Sequence, residues 1–191
     1  MGGRWGPDGP PEEAYSRVTR NLQAVFGGLH PHADRLVNDL AARHGAQVTA
    51  PTQAEALRLA RHLDLLRAVV VRPPDPAASP LVMGWTAHPA VVVAFGNHLS
   101  PEIVPTCGCD ACDEDLGDAV REVDEVVAGV VGGFDEVIRR RFRNVEVGYR
   151  MPHRGAGSWL WPGEVGQSRL PRRPKTITWA PWAPRSLAPP Q

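Results

Sequence analysis

Between Leu116 and Val137 the apolar residues Leu116, Val120, Val123, Val127, Val130, Phe134 and Val137 recur at intervals of three and four, with Asp118, Glu122, Asp124 and Glu125 opposite them. That spacing follows the roughly 3.6-residue turn of an α-helix rather than the two-residue repeat of a strand. It predicts an amphipathic helix over residues 113–141, one side of which has to be buried against another element. Asp113, Glu114 and Asp115 crowd its start and Arg139, Arg140 and Arg141 its end, the polarity that the helix macrodipole favours. Gly129, Gly132 and Gly133 mark where it should kink or split.

What the helix packs on is written in shorter apolar runs. Residues 65–71, 81–86 and 90–95 are rich in β-branched and aliphatic side chains, and Arg72-Pro73-Pro74-Asp75-Pro76 breaks the first run from the second. His88-Pro89 suits a tight connection between the second and third, so these runs form a hairpin or three-stranded meander. Their continuous apolar character calls for cover on both faces. Residues 144–151 alternate as a fourth strand, with Val145, Val147 and Tyr149 on one side.

Upstream, Tyr15, Val18, Leu22, Val25 and Leu29 fall at helical spacing, interrupted by Gly27-Gly28. A second helix is expected after Pro31, burying Ala33, Leu36, Val37 and Leu40 and stopping at Gly45. Thr52, with Glu55 three residues on, has the spacing of a capping box for a third helix carrying Ala56, Leu57, Ala60 and Leu63. The fold class is therefore α+β: an antiparallel sheet of about four or five strands packed by helices, in a single domain. Its expected limits are residues 12–152, after a disordered Gly/Pro-rich stretch at 1–11 and before a Pro/Trp/Arg-rich tail at 153–191. That tail holds Trp159, Trp161, Trp179 and Trp182. Because disordered segments rarely carry tryptophan, residues 176–182 are expected to dock on the domain, with 154–174 a mobile loop.

Composition removes several classes of function. The formal net charge is +0, so no global field draws the chain to nucleic acid or to an acidic membrane. No run of about 18 apolar residues is present to span a bilayer, and residues 1–11 lack the apolar core of a secretory signal. Gly6 stands where a myristoylation signal needs Ser or Thr. The expected compartment is the cytoplasm, where thiols stay reduced. There is no phosphate-cradling glycine loop, no Gly-x-Ser-x-Gly and no His-Glu-x-x-His.

The chemistry-bearing stretch is Cys107-Gly108-Cys109-Asp110-Ala111-Cys112-Asp113-Glu114, which contains all 3 cysteines. Soft ligands this close in sequence converge on a metal at little loop-closure cost. Cys109-x-x-Cys112 is a common chelating pair, whereas Cys107-x-Cys109 is tighter than usual. A closed tetrahedral zinc site needs a fourth donor, for which His98, His88, Asp113 and Asp110 are the candidates. As catalytic thiols they are disfavoured, since the flanking acids raise a thiol pKa and no cation lies between Pro101 and Asp118. The plain alternative is a tight turn with a small buried cysteine. The carboxylates Asp113, Glu114, Asp118 and Glu122 read more simply as a solvated helix side than as an acid–base face. His30, His32, His44 and His62 read as surface residues rather than ligands. The Arg139–Arg143 run and the Arg/Trp tail offer a way to clamp a nucleic-acid strand, but zero net charge favours a tail folded on its own acidic body.

Several of these segments resemble one group of proteins: Ala14-Tyr15-Ser16-Arg17-Val18-Thr19, Pro80-Leu81-Val82 through Thr86-Ala87-His88-Pro89, Pro105-Thr106 with the cysteine stretch, and Ile177-Thr178-Trp179-Ala180-Pro181-Trp182. The group is a family of uncharacterised cytoplasmic proteins from actinobacteria, catalogued as a domain of unknown function. The likeness runs from about Tyr15 to Trp182. It implies that the cysteine cluster and the terminal tryptophans belong to the domain, and it brings no activity, substrate or cofactor. Gly27-Gly28 and the closing Pro-Arg-Ser-Leu depart from the family pattern.

Together these features point to a non-enzymatic binding or regulatory domain, with zinc as the candidate cofactor at Cys107, Cys109 and Cys112. The alternatives are a small metal- or thiol-dependent enzyme centred on those cysteines, and a nucleic-acid-associated protein using the basic Trp tail. A protein partner is compatible with the sequence, nucleic acid is disfavoured, and no membrane association is expected.

Overall fold

The computed structural model describes residues 6, 9–59, 64–98, 100–141, 144–152, 155–160 and 173–185. Most of the expected disordered stretch at 1–11, together with Ala60, Leu63, His62 and Trp161, lies outside the described residues. The class is α+β. Five strands, β1 (Gln47–Thr49), β2 (Leu65–Arg72), β3 (Leu81–Thr86), β4 (Val91–Ala94) and β5 (Glu102–Val104), form an antiparallel meander in the order β1-β2-β3-β4-β5. A second, 4-stranded antiparallel sheet joins β6 (Phe134–Arg141), β7 (Asn144–Arg150), β8 (Gly155–Leu160) and β9 (Lys175–Trp179) in the order β8-β7-β6-β9. Four helices accompany them: α1 (Leu22–Phe26), α2 (Leu29–His44), α3 (Gln53–Leu59) and α4 (Leu116–Val131).

The first sheet is buried on both faces, as its apolar runs require. Every residue of β3 and β4 is buried. Val71, Leu81, Met83, Trp85, Val91 and Val93 face a core shared with α2 and α4. Val70, Val82, Val92 and Ala94 face a smaller one closed by Leu59 of α3. This strict alternation is the two-residue period of a strand, hidden in the sequence because neither face is polar. On α4 the inward residues are Ala119, Val123, Val126, Val127 and Val130, with Leu116 and Val120 partly buried.

Three helical expectations are corrected. The α4 stripe does not continue through Phe134 and Val137. The Gly132 N–H closes the helix on the Ala128 carbonyl, Gly133 turns the chain at φ 82, and residues 134–141 form strand β6. A Cβ at Gly133 would meet the Trp179 carbonyl and the Pro181 nitrogen at 2.9 Å, so this turn needs glycine for space as well as for φ. The period was ambiguous because Phe134 and Val137 are also spaced as on a helix, while the strand's buried side is Phe134, Glu136 and Ile138, with an acid in the middle.

The first helix also differs. Residues 12–16 form a 3-10 turn, 17–21 run without regular structure, and α1 starts after Asn21, whose side chain accepts from the Ala24 N–H. Tyr15 and Val18 are exposed. Pro31 lies inside the first turn of α2, where a missing N–H costs nothing. The α2 stop is as expected, at Gly45 in the left-handed region with φ 63. So is the Thr52/Glu55 capping box of α3, in which Glu55 Oε2 accepts from the Thr52 N–H at 2.8 Å.

Residues 155–160, expected within a mobile loop, are instead strand β8 on the edge of the second sheet; residues 161–172 lie outside the described ones. Residues 175–179 pair with β6, and Trp182 is buried. No described helix is long and apolar enough to cross a membrane.

Candidate metal centre

The loop between β5 and α4 is shaped from both ends. At its C-terminal end, Asp115 caps α4 by accepting from the Asp118 N–H at 2.9 Å, and Asp118 Oδ2 lies 3.4 Å from the Asp115 N–H in return. Just before it a single 3-10 turn, Asp110–Cys112, ends at Asp113 with φ 39, a left-handed conformation that an Asp side chain tolerates. From the other side of the chain, residues 17–22 lie along the loop as a strap. The Asp110 N–H donates to the Arg17 carbonyl at 2.8 Å, and Asp110 accepts from the Thr19 N–H at 3.0 Å and the Thr19 hydroxyl at 2.8 Å. Arg20 Nη1 donates to the Glu114 carbonyl at 2.8 Å, and Leu22 packs against Gly108.

This turn gathers the three sulfurs. Cys107, Cys109 and Cys112 have Sγ atoms all within 4.8 Å of one another, the Cys109 and Cys112 sulfurs 3.4 Å apart. The Cys109 N–H donates to Cys107 Sγ at 3.3 Å. Cys109 is buried, Cys107 half-buried and Cys112 exposed, and all three are free thiols. Hydrogen bonds from the Cys107 and Cys112 thiols draw the Cys109 pKa down against its burial. The same hydrogen bond with Cys109, then that with Cys107 and burial, push the Cys112 pKa up to about 12. The shared hydrogen bonds thus move the two pKa values in opposite directions, favouring ionisation of the buried sulfur over the exposed one.

None of the expected fourth donors joins this group. Asp110 is turned to Thr19. The His98 imidazole Nδ1 lies 2.9 Å from Glu136 Oε1, at the junction of the two sheets. His88 sits in the β3–β4 turn, its carbonyl approached by the Thr86 hydroxyl. Asp113, though next to Cys112 in sequence, has no oxygen in the group of mutually close donors. Among the described residues the sulfurs alone form such a group.

Cys112 also lines an open depression of about 520 Å³ along α4, together with Glu114, Asp118, Arg121, Glu122 and Glu125. Burial, then the charges of Glu122 and Asp118, raise the Glu114 pKa. Arg121 is paired with Asp118 and lowers the Asp118 pKa. Sequence reasoning placed these acids on a solvated helix side but missed the strap, since nothing local in residues 17–22 announces a contact some ninety positions away. Arg20 is the cation that the stretch around the cysteines lacked; its guanidinium also lies 5.6 Å from the Phe26 ring centroid.

His32 and His44 are not idle surface groups. His32 Nε2 pairs with Asp124 Oδ1 at 2.7 Å, tying α2 to α4, and His44 stands edge-on to Trp182.

A model describing a family of unknown function, DUF6226, matches residues 1–186. No curated protein and no solved structure matches the chain.

Proposed function

The chain belongs to that family of unknown function, and from its site we propose that it is a non-enzymatic binding or regulatory domain whose cysteine loop takes one zinc ion. The observation that carries this is the convergence of the Cys107, Cys109 and Cys112 sulfurs within 4.8 Å. Tetrahedral zinc with Zn–S bonds of about 2.3 Å holds its sulfurs roughly 3.8 Å apart. The 3.4 Å between Cys109 and Cys112 and the 4.8 Å outer limit bracket that value. Thiolates select soft or borderline ions over magnesium and calcium, and the neighbouring carboxylates favour any cation. Bound metal would tie the strap at residues 17–22, the loop and the start of α4 into one unit. The reading fits a reducing compartment such as the cytoplasm, where the cysteines stay reduced and free to bind metal.

The alternatives have less support. As a nucleophile, the exposed Cys112 is handicapped by a pKa near 12. The nucleic-acid reading needs free indoles over a basic groove. Trp182 is buried, Trp179 is held by Glu136, and the depression along α4 is acidic. A protein partner is compatible with the proposal, with no feature that specifies one.

Elemental analysis of the reduced, purified chain tests the proposal. About one equivalent of zinc is expected, lost in a Cys109→Ser/Cys112→Ser variant, with the wild-type melting temperature falling when a chelator strips the metal. Reduced protein that is folded, binds no zinc and is indifferent to added zinc would overturn it.

A further inference from the structure

We infer that a metal held by Cys107, Cys109 and Cys112 keeps its fourth coordination position open onto the depression along α4, where it binds an external donor that is neutral or cationic in preference to an anionic one. The inference rests on the metal reading above and asks what that metal would do. A closed structural site needs four protein ligands, whereas three protein ligands leave a position for an exchangeable one. Two of the candidate donors are engaged elsewhere: the Asp110 carboxylate accepts from Thr19, and His98 is held on Glu136. Among the described residues no further His, Cys, Asp or Glu atom joins the sulfurs. Cys112, the exposed member of the three, is also the one that lines the depression, so the site's uncovered side faces it.

The electrostatics of that side set the ligand class. Three thiolates and a dication carry a net single negative charge. An anionic fourth donor would double it beside Glu114, Asp118, Glu122 and Glu125; of the described cations nearby, Arg121 is paired with Asp118 and Arg20 donates to the Glu114 carbonyl. A neutral imidazole adds no charge, and an aminothiol brings an ammonium that the carboxylates attract. The class of ligand is therefore a small molecule or side chain that presents nitrogen or sulfur with no net negative charge.

The full-length chain loaded with cobalt(II), whose visible spectrum reports coordination, tests this directly. Imidazole and cysteamine should each shift the ligand-field bands saturably while cobalt stays bound. Cysteamine should bind about tenfold more tightly than 3-mercaptopropionate, a thiol of similar size and opposite charge. A Glu122→Gln/Glu125→Gln variant, which keeps every sulfur, should narrow that ratio. A tetrahedral sulfur-rich cobalt spectrum that no donor changes would mean that the chain itself supplies the fourth ligand, overturning this inference and leaving the zinc reading intact. Equal affinity for the two thiols, or removal of cobalt by them without a bound form, would also overturn it. Failure of the reduced chain to take up cobalt or zinc at all would remove both readings.

Discussion

Glu136 is fully buried, yet its carboxyl is well supplied with donors. Oε1 accepts from the His98 N–H at 2.7 Å, and Oε2 from the Asn97 N–H at 2.9 Å and the Trp179 indole at 3.1 Å. A buried carboxyl is tolerated only when donors surround it in this way. Here they come from the turn after β4 and from β9, so one side chain joins the first sheet to the last strand. Glu136→Gln turns an amide NH2 toward donors that need an acceptor. It should cost about 3 kcal/mol, read as a lower denaturant midpoint at unchanged slope. A midpoint equal to wild type would show that the cluster is not structural. None of these partners is a cysteine, so any metal uptake by Cys107, Cys109 and Cys112 should be unchanged.

At the scale of elements, two helices carry separable tests. Val123 is fully buried in the middle of α4. Val123→Asp introduces an unpaired charge there and should destabilise by roughly 3–5 kcal/mol; an unchanged thermal melt would mean that α4 does not bury this side. In α3 the acid of the capping box also governs a pH dependence. Burial opposes ionisation of Glu55, but the Thr52 N–H and hydroxyl and the Arg72 guanidinium outweigh it and hold its pKa below the ordinary glutamate value. A group depressed on folding stabilises above its unfolded pKa and ceases to do so as pH falls through the folded one. Protection of the Ala56 amide, which donates to the Thr52 carbonyl, should therefore be constant above about pH 5 and decline in more acidic solution. Glu55→Gln should lower it at neutral pH by about 1 kcal/mol, the usual worth of a cap, and flatten the acid limb. An acid limb unaltered in that variant would assign the effect elsewhere.

Across the whole molecule, residues 175–185 act as a lace. β9 pairs with β6, the Ala180 N–H reaches the Ala77 carbonyl, and the Trp182 N–H reaches the Val131 carbonyl at the end of α4. The Arg185 N–H closes on the Arg43 carbonyl in the last turn of α2. Trp182 is the anchor of this path: it is buried, its indole donates to the Ser79 carbonyl at 3.0 Å, and its ring meets His44 edge-on. Trp182→Ala removes that volume from a site bounded by separate elements and should cost about 3–5 kcal/mol. Trp182→Phe should recover much of it, losing mainly the hydrogen bond. Chain truncated after Pro174 should lose β9 and Trp182 together and unfold or aggregate; a soluble product of wild-type stability would show the lace to be dispensable.

The α+β class, the strands read at 65–71, 81–86, 90–95 and 144–151 and found within a residue of those limits, the Gly45 stop and the Thr52/Glu55 cap were legible in the sequence because each depends on local interactions. Period, β-branching, a left-handed glycine and a side chain reaching its own backbone need no distant partner. The cysteine cluster was legible for the same reason, since side chains within six positions can meet whatever the rest of the chain does. Tertiary structure decided the rest. Residues 134–141 carry both a helical and a strand period, and they become β6 because Gly133 turns the chain and β7 and β9 supply hydrogen-bonding partners on both sides. The short strands β1 and β5 exist only as edges of a sheet built by their neighbours. Where the His98 and Asp110 side chains sit turned on contacts with Glu136 and Thr19, far away in sequence. Such pairings follow from how the layers close, a long-range balance of burial and hydrogen bonding that no window of the sequence contains.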